Sequence, residues 1–243
     1  MAGHENGLIL ALDTAFDECS AALCATGSGA GARARGSTIV AAISETIGRG
    51  HAERLPSVID RLFEASGHCF ADITGIAVTV GPGSFTGVRV GVSAARGYAL
   101  ALAVPVVGLA TLHAMAEAVR DERPVLAIHD ARRGEVYGLL MAADGDVLRA
   151  SEAFAPDALA AFVGKALGPE ALIDVTGSGA RIAQDMLGGS RLRIRYETSR
   201  IDIAVLARLA AASRGVLPAK PLYLRGADAK PSSRPFSLFA EKA

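Results

Sequence analysis

Leu8-Ile-Leu-Ala-Leu-Asp-Thr-Ala-Phe-Asp-Glu-Cys-Ser-Ala-Ala-Leu23 lies over Val125-Leu-Ala-Ile-His-Asp-Ala-Arg-Arg-Gly-Glu-Val-Tyr-Gly-Leu-Leu140 without a gap. In that overlay Asp13 falls on Asp130 and Glu18 on Glu135. Each stretch is an apolar run ending in an aspartate, a polar turn, and a second apolar run that follows at once, the pattern of a β-hairpin. Two hairpins can share two acids by coincidence, so the overlay alone fits either a chance match or a duplication into two related lobes.

Outward from these hairpins the pattern is one of strands alternating with helices, which predicts an α/β fold. Residues 37–43 read as a third strand at a sheet edge, after a loose Gly- and Ala-rich loop at Gly27–Gly36. Leu55, Val58, Ile59, Leu62 and Phe63 form one helical stripe that Gly67 can terminate, with Pro56 in the first turn or kinking the helix. A buried strand at Ile76–Val80 leads through Gly81-Pro-Gly83 into a helix over residues 84–103. Residues 104–110 read as a short strand and Thr111 as the N-cap of the next helix. Paired strands are expected at 125–129 and 135–142, another strand at 172–176, an amphipathic helix at 201–213, and a frayed tail after Pro231.

The chain has 243 residues, 51% of them hydrophobic, enough for one large domain or two small lobes with real cores. Twenty-five basic residues balance 25 acidic ones, so the basic footprint of an independent nucleic-acid binder is missing. The three cysteines, Cys19, Cys24 and Cys69, form no C-x-x-C pair and point to a reducing cytoplasm rather than a disulfide framework. No secretory signal is read. The uncharged run Gly97–Ala116 is long enough to span a bilayer, but Pro105 and Gly108 interrupt it, and burial in a core explains it better.

The sharpest local signal is Gly81-Pro-Gly-Ser-Phe-Thr-Gly-Val-Arg-Val-Gly91. Its glycines allow a tight turn just before a helix N-terminus, whose free N–H groups could hold an anion. Packing explains it better: Ser84 as a cap, with Gly87, Gly91, Ala94 and Ala95 keeping the helix slim enough for close approach. It matches neither a P-loop nor a dinucleotide fingerprint. Asp13 with Thr14 at a strand end is an acid–hydroxyl pair that can orient a hydrated metal and phosphates, or simply a turn. Ser84 and Ser93 sit in no nucleophile elbow. His113 and Glu117 share a helix face, as metal ligands or as a solvated pair, and Arg132-Arg133 and Arg191-Leu-Arg-Ile-Arg195 could touch phosphates or line a half-exposed strand.

Taken together, Leu12-Asp-Thr-Ala15 with Cys19-Ser20, His51-Ala-Glu-Arg-Leu-Pro56, the Gly75–Gly91 block, Asp130-Ala-Arg-Arg-Gly-Glu-Val-Tyr137 and Pro221-Leu-Tyr-Leu-Arg225 resemble the TsaB family, once called YeaZ. The resemblance runs from about Leu8 to Arg225 and implies an actin-like, duplicated α/β fold with two lobes, related to the Hsp70 and sugar-kinase ATPases. On that basis residues 1–105 are expected to form the first lobe and 106–199 the second. A helix over 200–213 is expected to pack back on the first lobe, with 226–243 as the tail.

The same resemblance implies a non-catalytic subunit of the machinery that attaches a threonylcarbamoyl group to a tRNA adenosine. Its expected partners are TsaD, as a heterodimer, and the ATPase TsaE at the heterodimer interface, with a homodimer when alone and tRNA met only through the complex. In TsaD two histidines at i and i+4 hold a metal; here those places fall on Thr111 and Met115, so no metal is expected. Leu55, Val58, Ser84, Phe85, Val88, Arg89, Val92, Ser93 and Arg96 are the expected partner interface. Asp13, Thr14, Asp130, Gly177 and Gly179 are the expected remnant of a nucleotide site. No cofactor is required, and weak ATP or ADP binding is allowed. An independent ATPase or sugar kinase is the alternative, and a peptidase is disfavoured by the missing histidine pair.

Overall fold

The computed structural model describes residues 7–27 and 37–224; the expected Gly27–Gly36 loop, apart from Gly27 itself, Arg225 and the expected tail lie outside the described residues. Two mixed sheets carry the fold. The first contains β1 (Leu8–Asp13), β2 (Glu18–Ala25), β3 (Thr38–Thr46), β4 (Ile73–Thr79) and β5 (Val106–Leu109). The second contains β6 (Val125–Arg132), β7 (Glu135–Met141), β8 (Val147–Phe154), β9 (Ile173–Thr176) and β10 (Leu192–Tyr196). Their spatial orders are β5-β4-β1-β2-β3 and β10-β9-β6-β7-β8, with β11 (Val216–Pro218) added antiparallel to β5. In each sheet four of these five strands run in one direction and one, β2 in the first and β7 in the second, runs against them, so the second repeats the first strand for strand. The duplication suggested by the two hairpins is therefore structural, and the chain has the duplicated actin-like two-lobe fold.

Helices α1 (His51–Ser66) and α2 (Phe85–Leu102) cover the outer face of the first sheet, and α4 (Leu159–Gly164) and α5 (Ala180–Leu187) that of the second. Between the sheets lie α3 (Thr111–Val119) and α6 (Ile203–Ala211). The layers explain the strand sequences. Leu8, Leu10 and Leu12 of β1 face α1 and α2, whereas Ala11, with Ala22 of β2 and Ala77 of β4, faces the central layer, where small side chains let α6 lie close. Both faces are buried, so β1 reads as a continuous apolar run rather than an alternating one.

The central helices cross over. Helix α3 follows a strand of the first sheet but packs on β6 and β7, and α6 follows the second sheet but packs on β1 and β2. Strand β5 pairs with β4, so a boundary at 105/106 falls one strand too early. Local capping is seen at three helix ends. Gly67 closes α1 in the left-handed region, Ser84 caps α2 by accepting from the Gly87 amide, and Asp202 caps α6 by accepting from Ala204 and Val205. Thr111 is a correction: Ala110 is the N-cap, and Thr111 is the first helical residue, its buried hydroxyl without a partner among the described residues. Pro56 stands in the second turn of α1, exposed to solvent.

The gapless overlay also needs correcting. Asp13 pairs with Ser20 across β1 and β2, and the matching central-layer pair in the second lobe is His129 with Tyr137. Asp130 lies one residue further on, paired with Val136, and a register shift between Asp130 and Arg132 absorbs the extra residue. A slip of one residue reverses the faces of a strand. The spatial counterpart of Asp13 is therefore His129, and Asp130 is exposed at the turn.

Candidate functional site

Two concavities meet at the start of α2. The larger, of about 1170 Å³, opens between the lobes and is walled by Phe16, Arg49 and Ser84 from the first and by His129, Asp130 and Ser178 from the second. The smaller, of about 490 Å³, is an apolar groove between α1 and α2, lined by Ala52, Leu55, Pro56, Phe85, Val90 and Ala94, with Arg89 at its rim. Phe85 and Arg89 border both.

The expected nucleotide remnant is not assembled in the interlobe cleft. Asp13 is buried behind it: one carboxylate oxygen accepts from the Thr79 hydroxyl at 2.6 Å and the Ala15 amide at 3.1 Å, while the other has no partner among the described residues. Burial pushes the carboxyl up to about 6, against the lowering effect of the Thr79 hydrogen bond. Thr14 is fully buried, and its hydroxyl donates to the Gly87 carbonyl at 2.7 Å. Gly177 and Gly179 press the β9–α5 turn onto β6; a Cβ at Gly177, whose φ is +114°, would lie 2.1 Å from the Ile128 carbonyl oxygen. Of the five residues only Asp130 lines the cleft, and its carboxylate accepts from the Arg132 amide at 2.8 Å.

Instead the cleft gathers residues the sequence pattern did not single out. His129 lies 4.6 Å from the Phe16 ring, centroid to centroid, and stacks on Tyr137 at 6.1 Å. Its Nδ1 is 2.7 Å from the Ser199 hydroxyl and 3.0 Å from that of Ser178. Burial holds the imidazole down at about 4, so it is neutral at pH 7. A base that weak is poorly matched to activating a serine near neutrality, so this serine–histidine contact is better suited to closing the cleft wall than to covalent catalysis. His129 is invisible as a site residue because Ser178 and Ser199 are 49 and 70 residues away in the chain.

Glu117, Arg193 and Arg195 are engaged within the protein. Glu117 is held by Arg120 at 2.8 Å and by Arg214 at 3.4 Å rather than by His113. Arg193 and Arg195 both grip the buried Asp174, at 2.6 and 2.8 Å. Thr111 and Met115 are buried in the central layer, and among the described residues no three His, Cys, Asp or Glu side chains are placed to share a metal ion.

The helical face also differs from expectation. Leu55, Val58, Val88 and Val92 are at most 4% exposed and point at the first sheet, because they are the stripe that builds the lobe core. Gly87 and Gly91 serve the same inward approach: a Cβ at either would collide with Thr14, so they slim α2 for the end of β1 and not for a second helix. What faces outward is Phe85, Arg89, Ser93, Arg96 and Leu100, with Phe85 59% and Leu100 85% exposed.

Known proteins place the chain. A family model described as "TsaD: tRNA N6-adenosine threonylcarbamoyltransferase" matches residues 41–186. The tRNA threonylcarbamoyladenosine biosynthesis protein TsaB of Escherichia coli is 39% identical over 132 residues, 53% of this chain and 52% of that protein. A solved structure from Pseudomonas aeruginosa, described as similar to the peptidase YEAZ, superposes with a TM-score of 0.72 at 28% identity, covering 90% of this chain and all of that one. The chain belongs to the TsaB (YeaZ) family. The TsaB of Haemophilus influenzae is 37% identical over 55% of this chain and 53% of its own, so the chain spans about half the length of the curated TsaB relatives it matches. A second YeaZ structure, also from Pseudomonas aeruginosa, has a TM-score of 0.63 at 27% identity over 90% of this chain and all of the other. The model match takes in His51–Pro56, the Gly75–Gly91 block and Asp130–Tyr137, three of the five stretches on which the TsaB likeness was read; Leu12–Ser20 and Pro221–Arg225 lie outside it. Among the described residues no helix is long and apolar enough to cross a membrane.

Proposed function

We propose that this chain is a non-catalytic, partner-activating subunit in the formation of N6-threonylcarbamoyladenosine in tRNA. It binds TsaD as a heterodimer through the groove between α1 and α2, and helps form the surface on which the ATPase TsaE docks. Left alone, it pairs with a second copy through the same patch, an isologous contact. It meets tRNA only within the complex, needs no cofactor, and binds ATP or ADP weakly at most.

The observation that carries this proposal is the outward face of α2: an apolar groove floored by Leu55 and rimmed by Phe85, Ser93 and Ala94, with small side chains where a helix could approach. Catalysis then belongs to TsaD, because the i and i+4 positions that carry imidazoles there are a buried hydroxyl and a buried thioether here, and neither replaces a histidine as a ligand. Activation needs only that the bound subunit favour the competent conformation of TsaD. A coupling of about 3 kcal/mol would shift that equilibrium roughly 150-fold.

Reconstitution of tRNA threonylcarbamoylation from purified TsaD, TsaE and the adenylate-forming enzyme, with and without this chain, tests the proposal. The expected result is activity that requires the chain, and none from the chain alone. Full activity without it overturns the proposal. ATP hydrolysis by the isolated chain would bring forward the alternative, an independent ATPase or sugar kinase, for which the interlobe cleft is the available site.

A further inference from the structure

The side chains that separate the groove from the cleft are held by the far end of the described chain. After β11, the Leu222 amide donates to the Val80 carbonyl at 2.7 Å, which lays residues 219–224 across the start of α2. Tyr223 is thereby set beside α2, although it is 134 residues from Arg89 in sequence. The Arg89 Nε donates to the Tyr223 hydroxyl at 2.7 Å, and the guanidinium lies over the Phe85 ring at 3.6 Å from its centroid. The Phe85 and Tyr223 rings are 5.8 Å apart. Among the described residues no carboxylate pairs with Arg89.

Phe85 and Arg89 are both exposed, and both would otherwise be free to rotate. Fixing a long side chain in one rotamer costs binding energy when it happens during association, and that cost disappears when the rotamer is already set. Here the hydroxyl of Tyr223 fixes the direction of the guanidinium, and the guanidinium in turn fixes Phe85 by lying flat on it. With Nε engaged, the terminal Nη groups remain to meet a carboxylate at the groove rim in the two-pronged geometry arginine favours.

We infer that Tyr223 is a positioning residue of the partner-binding face: the strap at residues 219–224 presets Arg89 and Phe85, and the partner meets them with an apolar helix carrying an acidic residue at the groove's Arg89 end. The inference rests on the groove being the TsaD-binding surface. Because Tyr223 follows α6 in the chain, the face formed by two first-lobe helices is completed only when the last described segment has docked.

Affinity for cognate TsaD, measured by calorimetry together with the melting temperature, tests it on Tyr223→Phe, Tyr223→Ala, Arg89→Ala and Arg89→Ala/Tyr223→Ala, with Ala94→Arg as control for the groove. Tyr223→Ala is expected to weaken binding about fivefold with little change in melting temperature, and Tyr223→Phe by less. The double variant is expected to bind no more weakly than Arg89→Ala alone, since Tyr223 acts through Arg89. Tyr223→Ala with parental affinity, or losses that simply add, overturns the inference while Ala94→Arg still abolishes binding. Parental affinity in Ala94→Arg overturns the groove itself, and the inference with it.

Discussion

A Cβ on Gly87 would lie 2.1 Å from the carbonyl oxygen of Thr14, and the Thr14 hydroxyl donates back to the Gly87 carbonyl at 2.7 Å. The first turn of α2 is thus bolted to the end of β1 through two backbones that touch, and the glycine block that looks like an anion cradle in the sequence is first of all this joint. A glycine is required because the obstructing atom is a carbonyl oxygen of buried backbone just past β1, which cannot swing aside.

Three glycines of α2 should therefore behave differently when replaced by alanine. Gly87→Ala should destabilise by about 2–3 kcal/mol, within the range for overpacking against an immovable neighbour. Gly91→Ala, which meets the Thr14 hydroxyl at 2.5 Å, should cost less, because a side-chain oxygen can move. Gly97→Ala, with nothing within 4 Å, should stabilise by roughly 0.5–1 kcal/mol through helix propensity alone. Urea unfolding of the three variants gives the order directly, and equal effects at 87 and 97 would remove the joint from the account.

Asp13 should make stability fall as pH rises. Its carboxyl sits at about 6 in the fold against an ordinary 3.8, through burial, so the folded state holds the proton more tightly than the unfolded one. The contribution is fully present below pH 4 and is lost between about 4 and 6, by roughly 3 kcal/mol. His129 works in the opposite sense: held at about 4 against 6.5, it is stabilising above pH 6.5 and that stability is lost as pH falls toward 4. Comparison with Asp13→Asn isolates the aspartate. The variant should gain on the parent as pH goes from 4 to 7, and parallel curves would contradict the burial argument.

Asp174 is the reverse case. Burial pushes its carboxyl up, but hydrogen bonds and charge from Arg193 and Arg195 outweigh burial and leave it below the ordinary carboxylate range. Removing both arginines together should cost about 3–5 kcal/mol, since the carboxylate would be left buried and unpaired, whereas either alone should cost much less. Asp174→Asn added to the double variant should restore part of the loss at pH 7, read again as an unfolding midpoint.

The two sides of α2 should separate cleanly. Val88→Asp and Val92→Asp place a charge in the first-lobe core and should lower the melting temperature severely or prevent folding. Phe85→Asp and Ala94→Arg lie on the outward face and should leave the melting temperature within a few degrees while abolishing pull-down of TsaD. A folded Val88→Asp that fails to bind would return the interface to the buried stripe.

Much of this molecule is written locally. The apolar runs of β1 and β6, the Leu55–Phe63 stripe and the cap at Ser84 each depend on neighbours within a few residues, and each forms where the pattern puts it. The short elements α4 and β8 gave no such signal, since six residues of helix and a half-exposed edge strand owe their form to packing on the second sheet. The sequence by itself determined the α/β class and the paired hairpin patterns, because periodicity acts along the chain. Only the tertiary structure decided that His129 stands where Asp13 has its counterpart, that Leu55, Val58, Val88 and Val92 of the expected interface face inward, and that Tyr223 holds Arg89. The reason is the same in all three cases: a one-residue slip in strand register, the side on which a sheet lies, and a contact across 134 residues leave no periodic trace in the chain.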